Sequence, residues 1–208
     1  MFARDAISKI AEVNALGYNG ANMPNPNSIV LAATAEAKGL KSVLVGGNAV
    51  NLYGYHRTTF DVDLLVREKD SAGWVSFFER HGYKIFQQTG NFIRLHFADD
   101  PAGALPVDLM LADDDTFRKI HAESCHREIG KGIRLAIPSP LHLVAMKLHA
   151  LKSPPRLEQG LDLQDVIHLI KSAKIDIHGR EFTEIAERYA TEAIRAKILH
   201  ELGKESGS

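Results

Sequence analysis

The chain has almost no cysteine, no excess of either charge and no long apolar run, and each shortage removes a class of protein. Cys125 is the one cysteine in 208 residues, which excludes an internal disulfide framework and a cysteine-rich zinc cluster. Lys and Arg number 25 against 26 Asp and Glu, a formal net charge of −1. That balance excludes a uniformly basic nucleic-acid binder, leaves room for a local basic patch, and is far from an acidic disordered tail. No stretch approaches the roughly 18 consecutive apolar residues of a membrane span. The opening Met1-Phe2-Ala3-Arg4-Asp5 sets an acid where a secretory signal needs an apolar core, so the cytoplasm is the expected compartment. Internal repeats and low-complexity tracts are also missing. What is present, 45% hydrophobic and 25% charged residues, suits one sizeable globular domain, or one domain and a smaller appendage.

Taken in order, Phe2, Ile7, Ile10, Val13 and Leu16 fall near helical spacing and predict an opening helix. The Gly-, Asn- and Pro-rich residues 17–27 read as a loop. Ser28 is placed to cap a helix that runs to Ala37 and ends at Gly39, and Lys41 to Val45 forms a short buried strand. Beyond residue 60 the pattern predicts a strand to Val66, a helix from Ser71 to His81, and strands over Tyr83–Gln88, Asn91–Ala98 and Leu105–Ala112. Asp113-Asp114-Asp115 opens a further helix, and Arg127 to Ile137 reads as one strand bent at Gly130 and Gly132. From Pro138 the character turns helical, over 139–151, 161–173, 178–190 and 191–202, with Lys152-Ser153-Pro154-Pro155 as a separating loop and a disordered tail from Gly203. The expected organisation is α+β: an α/β core over residues 1–137, including the N-terminal helix and loop of 1–27, then a helical region over 138–208.

The chemistry concentrates between Leu44 and Val66. Gly46-Gly47 follows a strand and precedes a short helix, whose N-terminal N–H groups and dipole favour phosphate. Asp61 and Asp63 sit two apart on an apolar run, hence on one face of a strand and about 7 Å apart along it. Two carboxylates so placed can hold a magnesium ion. Paired acids on a strand are often only its solvated face. Here Val62, Leu64, Leu65 and Val66 are too apolar for an edge in water, and a third acid, Asp108, interrupts the apolar run Val107–Leu111. A buried carboxylate is costly unless paired, so Asp108 needs a shared cation or a hydrogen-bond donor. Asp113, Asp114 and Asp115 are adequately explained by helix capping. The glycine pair alone is weak, with the spacing of neither a P-loop nor a dinucleotide fingerprint. His121, Cys125 and His126 cluster without zinc-motif spacing, and His142 and His149 lie one heptad step apart on a predicted helix.

Together, Gly46-Gly47, the short helix, Arg57-x-Thr59-x-Asp61-x-Asp63 and a later strand acid resemble the nucleotidyltransferase core of the DNA polymerase β superfamily, over about residues 28–112. Within it the chain resembles AbiEii-like nucleotidyltransferase toxins of bacterial toxin–antitoxin systems, through Leu105-Pro106-Val107-Asp108, Lys147-Leu148-His149-Ala150 and, loosely, Asp162 and Asp165. That extends the likeness to about residue 170. Gly47 stands where many members have serine, Leu161 where a lysine often precedes the last acid, and His142 where valine usually opens the third motif. The resemblance implies a mixed sheet flanked by helices. It also implies that Asp61, Asp63 and Asp108 bind Mg²⁺, and that Gly46, Gly47 and Asn48 hold the phosphates of a nucleoside triphosphate. Asp108 would help deprotonate an acceptor hydroxyl, Arg57 and Lys147 would neutralise phosphate charge, and Thr59 would orient the acid strand. The implied acceptor is RNA, such as a tRNA end, or a protein, with an antitoxin as partner. Two alternatives are a small-molecule nucleotidyltransferase of the aminoglycoside or lincosamide kind, and a catalytically idle binding module. Asp162 and Asp165 are equally explained as a helix N-cap and its first-turn acid.

Overall fold

The computed structural model describes residues 26–98, 105–130 and 133–204. The predicted opening helix, most of the loop after it and the turn around Pro101 lie outside those residues. The elements run α1 (Pro26–Ala37), β1 (Ser42–Leu44), α2 (Gly46–Asn51), β2 (Val62–Arg67), α3 (Ser71–Glu79), β3 (Tyr83–Thr89), β4 (Phe92–Phe97), β5 (Val107–Ala112) and α4 (Asp114–Ala122). They continue with β6 (Cys125–Gly130), β7 (Ile133–Ile137), α5 (Pro140–Ala150), α6 (Pro154–Gln159), α7 (Leu161–Ser172), α8 (Arg180–Tyr189) and α9 (Glu192–Lys204).

The chain divides into two compact units: the described residues up to Asn48 together with Arg57–Pro138, and Ala49–His56 together with the described residues from Ser139 onward. The first is built on a five-stranded sheet in the order β1-β2-β5-β4-β3. β2 and β5 run parallel at its centre, and the flanking pairs are antiparallel, so the sheet is mixed. Val62, Leu64 and Val66 of β2, Val107 and Leu109 of β5, and Ile93 and Leu95 of β4 are all buried. On α3, Trp74, Phe77 and Phe78 are buried and meet ring to ring, with Phe78 continuing onto Tyr83 of β3 at 5.3 Å. Aromatic clusters of this kind bring both large buried area and edge-to-face geometry. The second unit packs α5 against α7 and α8 through buried Leu143, Val144, Leu148, Val166, Leu169 and Ile170. Tyr55 belongs to this unit, its ring stacked on His168 of α7 at 3.6 Å.

Local signals explain most boundaries. Asp113 caps α4 by accepting from the Thr116 backbone at 2.8 Å, and Ser139 caps α5 by accepting from His142 N at 3.3 Å with Pro140 next in the chain. Four expectations are corrected. α1 begins at Pro26, two residues before Ser28, because proline is well suited to a first helical turn. The single bent strand over 127–137 is a hairpin of β6 and β7, antiparallel from Cys125↔Ile137 to Gly130↔Ile133; apolar alternation cannot tell one strand from two joined by a short turn. Pro154 and Pro155 open α6 instead of forming loop, their missing N–H groups being unneeded there. Finally, α9 runs on to Lys204, past the predicted break at Gly203.

Burial, and the positive charges of His126, Lys41 and Arg67, push the pKa of His121 on α4 below its ordinary value. Its folded-state pKa lies below its unfolded one, so this contribution to stability is present above the unfolded pKa, about 6.5, and is lost as the pH falls. The melting temperature is expected to drop between about pH 7.5 and 5.5. In His121→Asn that drop should be smaller; an equal drop would remove His121 as a cause.

Candidate active site

β2 and β5 pair in parallel with Asp63 level with Asp108, and β4 pairs with β5 so that Arg94 is level with Asp108. Three adjacent strands thus present Asp63, Asp108 and Arg94 in one row across the sheet. Asp61 precedes β2 by one residue and joins them: one carboxylate oxygen from each of Asp61, Asp63 and Asp108 lies within 4.8 Å of the others. Among the described residues this is the one group of acids, histidines or cysteines close enough to hold a metal ion.

The glycine turn is shaped around these acids. Gly46 has φ +64°, and a Cβ there would lie 1.8 Å from Asp63 Oδ2. Position 46 therefore admits neither the conformation nor the volume of a larger residue. A Cβ on Gly47 would come within 3.0 Å of Thr59 Oγ1 and 2.9 Å of an Arg57 guanidinium nitrogen. Asn48 is buried, and its amide donates to the Asp61 carbonyl at 2.8 Å while Thr59 Oγ1 donates to Asp61 Oδ1 at 3.1 Å. The Val45 N–H donates to the Asp63 carbonyl at 2.9 Å. The fold thus brings together eight of the nine residues singled out in the sequence: Gly46, Gly47, Asn48, Arg57, Thr59, Asp61, Asp63 and Asp108. It also gives several of them a structural occupation, since Asn48 and Thr59 brace Asp61 and the glycines make room.

Arg94 was not foreseen. Its Nε donates to Asp108 Oδ1 at 2.7 Å, its Nη2 reaches Asp108 Oδ2 at 2.5 Å, and the same nitrogen is 3.5 Å from Asp61 Oδ2. The hydrogen bonds to Asp108 and the charges of all three acids raise the guanidinium's pKa, against the opposing effect of burial. The signal was available, because alternation set Arg94 on the face opposite Ile93 and Leu95, and buried Asp108 required a partner. With Arg94 against them and the Arg57 guanidinium beside Thr59 at the start of α2, the site is built on three carboxylates. Their hard oxygen donors suit a divalent cation such as magnesium, whose opposite ligands lie about 4 Å apart.

The ninth residue, Lys147, stands on α5 in the second unit. It is buried with its ammonium 2.8 Å from both Asp162 Oδ1 and Asp165 Oδ2 of α7, and Arg156 Nε donates to Asp162 Oδ2 at 2.7 Å. Two acids and two cations balance there. The capping explanation of Asp162 and Asp165 is corrected: Gly160 occupies the N-cap of α7 and no side chain caps it, while both acids turn inward to these cations.

No protein-family model matches the chain, and no curated protein sequence matches it. Solved structures do. A solution structure of the antibiotic-resistance factor ANT(2'')-Ia is 14% identical with a TM-score of 0.58, covering 88% of this chain and 100% of that one. An antigenic nucleotidyltransferase-like protein from Paracoccidioides brasiliensis is 18% identical with a TM-score of 0.53, covering 77% of this chain and 84% of that one. The lincosamide antibiotic adenylyltransferase LnuA, lincomycin-bound, is 15% identical with a TM-score of 0.51, covering 71% and 97%. The chain has the nucleotidyltransferase fold.

Gly46→Ala should push Asp63 aside and cost about 1–2 kcal/mol through the left-handed backbone, read as a lower unfolding free energy in urea titrations. Lys147→Met leaves Asp165 and Asp162 buried beside one cation fewer. It is expected to lower the unfolding free energy by about 3–5 kcal/mol in urea titrations.

Proposed function

We propose that the chain is a metal-dependent nucleotidyltransferase that moves a nucleoside monophosphate from a nucleoside triphosphate to an acceptor hydroxyl. The observation that carries this reading is the row of Asp61, Asp63 and Asp108 packed against Gly46 at the start of α2, on a nucleotidyltransferase fold. Asp61, Asp63 and Asp108 would hold Mg²⁺, which when bound neutralises triphosphate charge and polarises the reacting phosphate. Gly46 and Gly47 would offer backbone N–H groups at the start of α2 to the phosphates, and Arg57, beside Gly47, supplies positive charge. Asn48 and Thr59 fix Asp61. The acceptor hydroxyl gives its proton to Asp108, its oxygen bonds to the α-phosphorus, and the bond to the bridging oxygen breaks to release pyrophosphate. Lys147 acts, in this reading, by fixing α5 to α7 through Asp162 and Asp165.

For the acceptor, the motif pattern through Asp108 and Lys147 supports RNA, including a tRNA end, or a protein, in a toxin-like role with an antitoxin partner. A second reading, transfer to a small molecule, is favoured by the likeness to ANT(2'')-Ia, solved in complex with adenylyl-2''-tobramycin, and to LnuA. No described helix is long and apolar enough to cross a membrane.

Incubation with Mg²⁺, each labelled nucleoside triphosphate in turn, total RNA and a panel of hydroxyl-bearing antibiotics separates the readings by which acceptor gains label. Asp63→Asn should reduce labelling about 10²- to 10⁴-fold. Equal labelling by that variant, or no labelled acceptor of any class, would remove the proposal.

A further inference from the structure

Asp108 answers the cost of burial in an unexpected way: both of its oxygens are already taken by a cation of the chain itself. The Arg94 fork spends Nε on Oδ1 and Nη2 on Oδ2, at 2.7 and 2.5 Å, and leans on Asp61 Oδ2 at 3.5 Å. Two of the three acids that would ligate a divalent ion are therefore engaged by a guanidinium. A metal ion bound about 2.0–2.1 Å from an Asp108 oxygen would stand a few ångströms from that guanidinium and repel it.

We propose that Arg94 is a built-in counter-ion that holds Asp108 while no divalent cation is bound and must release it for the cation to be coordinated. This rests on the reading of Asp61, Asp63 and Asp108 as a metal site, and makes Arg94 a positioning residue that sets the site's affinity for metal. Three observations support it. The Asp108 side chain is 5% exposed and the Arg94 side chain 33%, so the guanidinium is the partner with room to move into solvent. While it holds Asp108, the guanidinium carbon already lies 5.8 Å from the centre of the Phe92 ring, two residues away on the same strand, a face that can keep hold of the cation once the carboxylate is released. And with neither Arg94 nor a metal ion, Asp108 would be a buried carboxylate beside two more acids, the arrangement that most needs a counter-charge.

The test uses the full chain as wild type, Arg94→Met, Arg94→Lys and Asp63→Asn, with Mn²⁺ binding followed by calorimetry at one pH, and melting temperatures in chelator and in saturating Mn²⁺. Arg94→Met is expected to melt below wild type in chelator, to bind Mn²⁺ about tenfold more tightly, and to gain more in melting temperature from the metal. Arg94→Lys, whose ammonium cannot fork onto a carboxylate, should bind about threefold more tightly than wild type and keeps the test open if the methionine variant does not fold. Unchanged or weaker Mn²⁺ binding in the Arg94 variants, with wild-type binding abolished in Asp63→Asn, overturns the role of Arg94 and leaves the metal site standing. Absence of any Mn²⁺ binding that depends on Asp63, in wild type and in both Arg94 variants, overturns the metal site and the counter-ion role together.

Discussion

The candidate site depends on the parallel pairing of β2 with β5. That register alone sets Asp63 level with Asp108, two residues separated by 45 positions in sequence, and a slip by one residue would send one of them to the opposite face. The apolar residues that alternate with the acids hold the register. Val62, Leu64, Val107 and Leu109 are each fully buried, so the sheet cannot slide without exposing them. Hydrophobic burial on one face thus fixes charge geometry on the other. β4 extends the same logic, since buried Ile93 and Leu95 leave Arg94 no choice of face.

Each unit solves the same electrostatic problem with its own cations. In the first, the Arg94 guanidinium meets Asp108 and Asp61, with the Arg57 guanidinium close by beside Thr59; in the second, Asp162 and Asp165 meet Lys147 and Arg156. The difference is physically meaningful. Asp162 and Asp165 are enclosed and tie α5 to α7, whereas Asp61 is a third exposed, so the row in the first unit opens to solvent on a side from which a further cation can reach it. The glycines at 46 and 47 belong to the same account: their lack of side chains lets Asp63, Arg57 and Thr59 crowd against the start of α2.

How much of this could be read in advance varies with the range of the interaction. The nearness of Asp61 and Asp63 was legible from their spacing at an apolar run, although the strand itself begins at Val62 and Asp61 stands just before it. Asp108 was legible because a carboxylate in an apolar run is an anomaly that needs a cause. The helical character after Pro138 was legible from periodicity. The hairpin of β6 and β7 was not, since a turn and a bend leave the same trace in an apolar pattern. Nor was the fate of Asp162 and Asp165, where capping and burial predict the same residue types at the same positions and only the presence of Lys147 across from them separates the two.

The sequence by itself determined the classes of side chain available and their local phase: Asp61 and Asp63 at the start of one apolar strand, one acid in β5, a glycine pair opening a short helix, and a helical C-terminal part. These follow from periodicity, backbone freedom and the cost of burying charge, which act within a few residues. Tertiary structure alone decided that Arg94 is the partner of Asp108, that Gly46 gives its missing side chain's volume to Asp63, and that Lys147 is enclosed between two acids of α7. Those are pairings across strands and helices, set by sheet order and register, and a linear sequence holds many cations that could have met each acid.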